Sequence, residues 1–172
     1  MVLRYTATDS PVGRLYLAEN NRYLCALSLG ANAKESLFSY LRSVYPAADL
    51  QASKPAFSEV ISQLNEYFAN QRTDFDLPLI MQGTAFQKSV WDELLKIPYG
   101  RTVSYGELAE RLDNPGAMRA VGAANGQNPI PIIIPCHRVI AADGSLGGYT
   151  GGLDIKHKLL ELEQQKFTPS LF

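Results

Sequence analysis

The sequence predicts an α+β chain in two parts. A small sheet with packing helices occupies residues 1–82, and a helix-turn-helix part occupies residues 83–172. Three observations lead there. Only Gly13 and Gly30 of the thirteen glycines precede residue 83, so the second part is the one dense in turns and close backbone approaches. The first part shows short β-rich runs followed by two segments of helical periodicity. The second part opens with three helix starts in quick succession.

In chain order, Leu3–Thr8, Arg14–Glu19 and Arg22–Leu29 read as strands, with Asn20-Asn21 as a tight hairpin because Asn tolerates positive φ. Tyr23, Cys25, Leu27 and Leu29 alternate onto one face, which makes Cys25 a core residue. Ala33–Tyr45 and Pro55–Asn70 read as helices, the second carrying Phe57, Val60, Ile61, Leu64 and Phe68 at helical spacing behind Ser53 and Pro55. Thr73–Gly83 is the expected linker, with Pro78 ending any preceding helix.

The second part begins with Thr84-Ala-Phe-Gln87, a capping box leading into Phe86, Val90, Leu94 and Ile97. Ser104-Tyr-Gly-Glu107 is another, leading into Leu108, Ala109 and Leu112. Asn114-Pro115 supplies an N-cap and an N1 proline for a third helix running to about Asn125. The last two are short and joined around Asp113, which is helix-turn-helix spacing. Ala117, Ala120, Gly122, Ala123 and Ala124 leave little side chain on the third helix, from which Arg119 alone projects. Such a surface suits tight helix packing, or close approach to nucleic acid with one probing arginine.

Composition is ordinary for a globular chain of 172 residues, 46% apolar and 19% charged. Formal net charge is −1, with seven basic against eight acidic residues in 1–82 and nine against nine in 83–172. No basic excess points to nucleic acid. Two cysteines cannot build a disulfide framework and fit a reducing compartment. No apolar leader opens the chain, and Ile130–Cys136 is too short and proline-broken to span a bilayer. These features predict a soluble, cytosolic protein.

Chemistry concentrates at Asn128-Pro-Ile-Pro-Ile-Ile-Ile-Pro-Cys-His-Arg-Val139. Ile132–Ile134 reads as a short β-branched strand, held extended by Pro135. Cys136 at its end is followed at once by His137, the first histidine of the chain. A thiol reacts as thiolate, so its pKa must be lowered by a neighbouring base or positive charge. His137 is a candidate base, directly or through water, and Arg138 a candidate source of positive field. Glu163, on an amphipathic C-terminal helix around Ile155, Leu159 and Leu162, is a candidate group to orient that base. The residues alone leave a cysteine-dependent hydrolase open. No G-x-G-x-x-G, P-loop, CxxC or HExxH occurs, so no cofactor is expected. Gly144–Gly152 reads as a turn-rich loop.

Pro135-Cys-His-Arg-Val139, preceded by Asn128-Pro129 and followed by Gly148-Tyr-Thr-Gly-Gly-Leu153, resembles the active-site signature of the O6-alkylguanine-DNA alkyltransferases. Ser104–Ala109 and Arg119–Asn125 resemble the helix-turn-helix of the same family. The strong resemblance runs from about Gly83 to Glu163, and residues 1–82 are similar only in size and element order. It implies a ribonuclease H-like first domain and a winged-helix-like second one. It further implies DNA repair by irreversible, single-turnover transfer of the alkyl group from O6-alkylguanine in duplex DNA, with O4-methylthymine an open second substrate. Cys136 would accept the alkyl group, His137 act as base through a water, Glu163 orient it and Asn128 brace the turn.

Tyr105 would crowd the target phosphate and donate a hydrogen bond to the base. Arg119 would fill the stack after base flipping, with Gly106, Asn114 and Ala120 as further DNA contacts. The carbonyls of Val139 and Cys136 and the Thr150 backbone, with Tyr149, would hold the guanine. The expected protein is a monomer without membrane contact. With only Cys25 and no histidine before His137, the N-terminal zinc site of some members is ruled out. A non-catalytic lesion-binding relative would lack the acceptor cysteine.

Overall fold

A computed structural model describes residues 1–165; residues 166–172 of the predicted second part lie outside them. The chain divides into two compact units, Met1–Gln82 and Gly83–Phe172. Among the described residues no helix is long and apolar enough to cross a membrane.

In the first unit β1 (Val2–Ser10), β2 (Gly13–Asn20) and β3 (Tyr23–Ser28) form an antiparallel meander. A fourth strand, β4 (Asp49–Ala52), adds parallel to β1 to give the order β3-β2-β1-β4. Its short polar sequence gives no strand signal. The second hairpin turns one residue later than expected. Asn20 pairs with Tyr23, so the turn residues are Asn21 and Arg22, at φ +49° and +72°. That is the positive-φ pair a two-residue hairpin requires.

The expected alternation in β3 also fails. Ala18 pairs with Ala26 and Glu19 with Leu24, leaving Cys25 as the extra residue of a bulge. Leu24, Cys25, Ala26 and Leu27 are all buried, while Tyr23 is exposed. Leu3, Ala18, Cys25 and Ala26 pack against Leu37 and Leu41 of α1 (Ala33–Val44) and against Tyr45.

The helix expected over Pro55–Asn70 is a 3-10 turn at Pro55–Phe57 continued by α2 (Ser58–Phe68). Its deepest residues are Gln63, Leu64 and Tyr67, with Val60, Ile61 and Phe68 only half-buried. Pro78 does not end it. The segment around Pro78 lies along β3, where Leu24 N–H donates to the Pro78 carbonyl (2.9 Å) and Ile80 N–H to that of Leu24 (3.0 Å). The expected linker therefore covers a sheet edge that would otherwise be open.

The first two helices of the second unit start where the local sequence says they should. Thr84 caps α3 (Ala85–Leu94) and Ser104 caps α4 (Tyr105–Arg111), each closing a reciprocal box with Gln87 and Glu107. Trp91 is buried and its indole N–H donates to the Ala124 carbonyl (2.9 Å), tying α3 to α5 (Met118–Gly126).

Asn114 does not cap that third helix as expected. Its side chain makes no cap bond, and a 3-10 turn at Pro115–Ala117 intervenes, with Asp113 at φ +54° making the turn of the helix-turn-helix. Two short strands, β5 (Val103–Ser104) and β6 (Val139–Ile140), pair in parallel. That pairing fastens the reactive segment to the start of α4. The last helix, α6 (Leu153–Gln165), packs on the segment as well, burying Lys156, Leu159, Leu160 and Glu163.

Candidate active site

The segment before Cys136 is a turn, not the expected strand. Ile134 N–H donates to the Ile130 carbonyl (2.9 Å), and Ile132 sits at φ +74°. A β-branched residue in that region is strained by roughly 1–3 kcal/mol and persists only where its surroundings over-determine it. Here Asn128 does so. Its amide donates to the Ile134 carbonyl (2.7 Å), and its carbonyl oxygen accepts from Ile130 N–H (2.9 Å). Pro131 and Pro135 bring no N–H to a ladder. Cys136 then opens a 3-10 turn, Cys136–Arg138, that feeds β6.

The thiol sits deeper than a polar, turn-bounded setting suggests. Cys136 is 5% exposed, and its pKa is pushed up to about 11 rather than down. Burial is the cause. Against it act a hydrogen bond from the Asn128 side chain and the charge of Lys156. Arg138 is not the source of positive field. Its Nε donates to Glu163 Oε2 and its Nη2 to Oε1 (both 2.9 Å), and its Nη1 donates to the Ile97 carbonyl (2.6 Å). The guanidinium also lies over the Tyr99 ring, 5.7 Å from its centre.

Nε2 of His137 lies 2.7 Å from Oε1 of Glu163, both fully buried. Despite its burial Glu163 is held down to about 2 by His137 and Arg138, so it is ionised and can only accept. The hydrogen therefore sits on Nε2, and Nδ1 keeps its lone pair. Nδ1 is buried and has no partner among the described residues. Burial lowers the imidazole pKa, outweighing the Glu163 carboxylate, while Arg138 and Lys156 lower it further. The resting ring is neutral, and its one available basic nitrogen is fixed in direction.

Lys156 is the residue that sequence reasoning missed. It is fully buried, and its Nζ donates to the carbonyls of Val139 (2.7 Å), Gly148 (3.1 Å) and Leu146. Among the described residues no carboxylate forms an ion pair with it. Burial lowers it to about 8, and Cys136 is the charge that acts the other way. The ammonium thus ties β6 and the first half of the Gly144–Gly152 loop to α6 and places a positive charge near the thiol. A lysine spaced into an amphipathic helix gives no sequence signal for this.

The loop carries Tyr149 and Thr150. Thr150 Oγ1 donates to the Gly126 carbonyl (2.8 Å) at the end of α5. The Tyr105 hydroxyl takes a hydrogen bond from the Gly148 backbone, and its ring lies against Gly122 and Gly147. At Gly147 (φ +70°) a Cβ would stand 2.8 Å from the Tyr105 hydroxyl, so only glycine fits. Arg119, Ala120 and Asn114 are exposed around the start of α5, and Gly106 is half-buried beside them. Arg119 is not the sole projecting side chain, for Met118 is 51% exposed next to it. Among the described residues no imidazole pairs with Cys25. Its thiol donates to the Ala18 carbonyl (3.4 Å), and burial pushes it up to about 12.

Comparison with known proteins bears on both units. Residues 85–165 match the profile of the 6-O-methylguanine DNA methyltransferase DNA binding domain, and residues 3–81 that of its ribonuclease-like domain. The chain is 47% identical over 166 residues to the methylated-DNA–protein-cysteine methyltransferase of Mycobacterium tuberculosis, covering 96% of this chain and 94% of the relative. The crystal structure of the Mycobacterium tuberculosis O6-methylguanine methyltransferase superposes with a TM-score of 0.85 at 46% identity, covering 98% and 97% of the two chains. A second structure of that relative, in complex with DNA, gives a TM-score of 0.81 at 44% identity, covering 96% and 94%.

Proposed function

The chain belongs to the 6-O-methylguanine DNA methyltransferase family, and from that premise we propose that Cys136 is its alkyl acceptor. It is a methylated-DNA–protein-cysteine methyltransferase, which repairs DNA by direct transfer of an alkyl group to one of its own cysteines. Its substrate is O6-alkylguanine in duplex DNA, flipped out of the stack to reach a buried thiol. The chain acts as a monomer in a reducing cytoplasm. Thiol, base and orienting carboxylate all come from one chain, and both cysteines are free.

The single observation that carries the assignment is the pinned His137 ring. Its Nε2 is engaged by Glu163, so its buried, unpartnered Nδ1 takes the thiol proton through an intervening water. The thiolate then attacks the alkyl carbon, a sulfur–carbon bond forms, and the carbon–O6 bond breaks with its electron pair passing to guanine. Hydrogen bonds to the base stabilise that charge. Tyr105 supplies one, exchanging its contact with Gly148 for the base. The Val139 carbonyl and the Thr150 backbone hold the guanine edge. Arg119 enters the stack behind the departed nucleotide, and Met118, Gly106, Asn114 and Ala120 meet the groove around it. The product is a thioether, which water does not readily cleave, so each molecule reacts once.

Incubation with an O6-methylguanine duplex, followed by intact-mass measurement and peptide mapping, tests this. The expected result is one methyl group per chain, on Cys136. A methyl group on Cys25, or repeated turnover, overturns it.

A further inference from the structure

Tyr149 is divided between two environments. As a residue it is only half-buried, yet its hydroxyl is inaccessible to solvent and has no hydrogen-bond partner among the described residues. Two other side-chain atoms of the second unit share that condition among the described residues, Nδ1 of His137 and Oδ1 of Asn125. Asn125 holds the Cys136 carbonyl through its Nδ2 (3.4 Å), and His137 is the next residue in the chain. Two of the three orphaned atoms therefore belong to residues that flank Cys136, and the third, on Tyr149, lies on the loop that Lys156 ties to Val139. Buried polar atoms in native proteins are satisfied by protein or by ordered water, and a buried water needs two to four polar partners.

The backbone that carries Tyr149 is held on both sides. On one side of Tyr149 the Gly148 carbonyl is held by Lys156 (3.1 Å), and on the other Thr150 is bonded to Gly126 (2.8 Å). Its own carbonyl accepts from Gly152 N–H (3.0 Å). Burial raises the phenol well above its ordinary pKa, and the nearby Cys136 and Glu163 raise it further. The hydroxyl thus lies within electrostatic reach of both ends of the relay and remains protonated.

We propose that Tyr149 is a positioning residue of the proton relay, its hydroxyl oxygen accepting one hydrogen of the water that links the Cys136 thiol to Nδ1 of His137. The inference rests on Cys136 being the acceptor and His137 its base, and it adds a third partner to the water between them. With one hydrogen on Nδ1 and the other on Tyr149, the water turns a lone pair toward the sulfur. The thiol proton passes to that lone pair, the water gives its own hydrogen to Nδ1, and Tyr149 ends as it began. The half-exposed ring is left to wall the guanine pocket.

The test is Tyr149→Phe, which keeps the ring and removes only the oxygen. Single-turnover rates are measured from neutral to strongly alkaline pH with free O6-benzylguanine and with an O6-methylguanine duplex, alongside duplex affinity and Tm. Both rates should fall together, by about 10-fold to 100-fold, the range seen when a group orienting a functional ligand is removed. DNA affinity should not change, and the deficit should fade toward the pH near which the thiol ionises unaided. In a His137→Ala background the same substitution should have no further effect, because the relay is already broken.

Should Tyr149→Phe fold poorly, a fluorinated tyrosine at 149, with a weaker acceptor oxygen, should slow transfer in the same direction. An unchanged rate, or a loss confined to the duplex, overturns the proposal and leaves Tyr149 as a pocket wall. A loss that is undiminished at high pH, or additive with His137→Ala, does the same. If wild type puts no methyl group on Cys136, it is the acceptor assignment beneath the proposal that fails.

Discussion

The carboxylate of Glu163 takes both forks of the Arg138 guanidinium, at 2.9 Å each, while holding Nε2 of His137 at 2.7 Å. The arginine thereby keeps the carboxylate charged, and the charged carboxylate fixes the imidazole tautomer. Arg138, the residue beside His137, acts on that ring through a partner on α6.

Replacing His137 with alanine should leave DNA affinity within a few-fold and slow transfer by about 10²–10⁴, the usual contribution of a positioned base. The rate should then climb toward higher pH, since burial holds the thiol near about 11 instead of its ordinary 9.0. A rate at neutral pH equal to wild type would remove histidine from the mechanism.

Glu163→Gln should remove about 3–5 kcal/mol by stranding the buried Arg138 guanidinium. The sign with pH follows from the lowered carboxyl. Folded Glu163 titrates near about 2 against an ordinary 4.5, so its contribution is complete above pH 4.5 and lost as pH falls toward 2. Urea melts from pH 7 to pH 2 should show wild type losing its advantage over the variant in that acid window.

Lys156→Met keeps the apolar stem and removes the ammonium. Transfer should slow about tenfold for each unit by which the thiol pKa rises, equally for duplex and free base. Stranding the Val139, Leu146 and Gly148 carbonyls should also lower Tm, at about 1–3 kcal/mol per buried unpaired carbonyl. In wild type the gain in rate with pH should weaken above about pH 8, where Lys156 gives up its charge. In the variant that break should be absent.

Arg119→Ala should change folding stability by no more than ~0.5 kcal/mol, the usual bound for an exposed side chain. Duplex repair should fall sharply while free O6-benzylguanine reacts normally, because only the duplex has a stack to fill. Arg119→Lys should recover part of the duplex rate, keeping charge but not the planar fork. Equal losses on both substrates would make Arg119 a packing residue.

Gly83→Ala should destabilise the second unit by about 1–3 kcal/mol through overpacking. The new Cβ would stand 2.6 Å from Cη2 of Trp91 and 2.8 Å from Oε1 of Gln87, the oxygen that completes the α3 capping box. Thermal melts against wild type measure it.

What the sequence made legible was local. The boxes Thr84/Gln87 and Ser104/Glu107 close over three residues, so their chemistry is written side by side. The parallel pairing of β4 with β1 joins residues more than forty positions apart through their backbones, and nothing in the short, mostly polar β4 announces it. The bulge at Cys25 is a decision of the partner strand and cannot be seen in β3 alone.

At the site, Cys136 and His137 stand out as neighbours, and Glu163 could be guessed from its helix. Lys156 could not, because its meaning lies in carbonyls 8, 10 and 17 residues away. Arg138 misled for the opposite reason. It adjoins the thiol in sequence, but its charge is directed into Glu163.

A molecule that works once is limited less by its speed than by how long it keeps while idle. A thiol held low in pKa would be permanently nucleophilic, open to stray oxidants and electrophiles between lesions. Cys136, held up at about 11, rests as an inert thiol. Burial therefore acts as a safety catch. Every intact copy remains a usable dose, and the number of copies, undiminished by waiting, sets how much damage a cell can absorb.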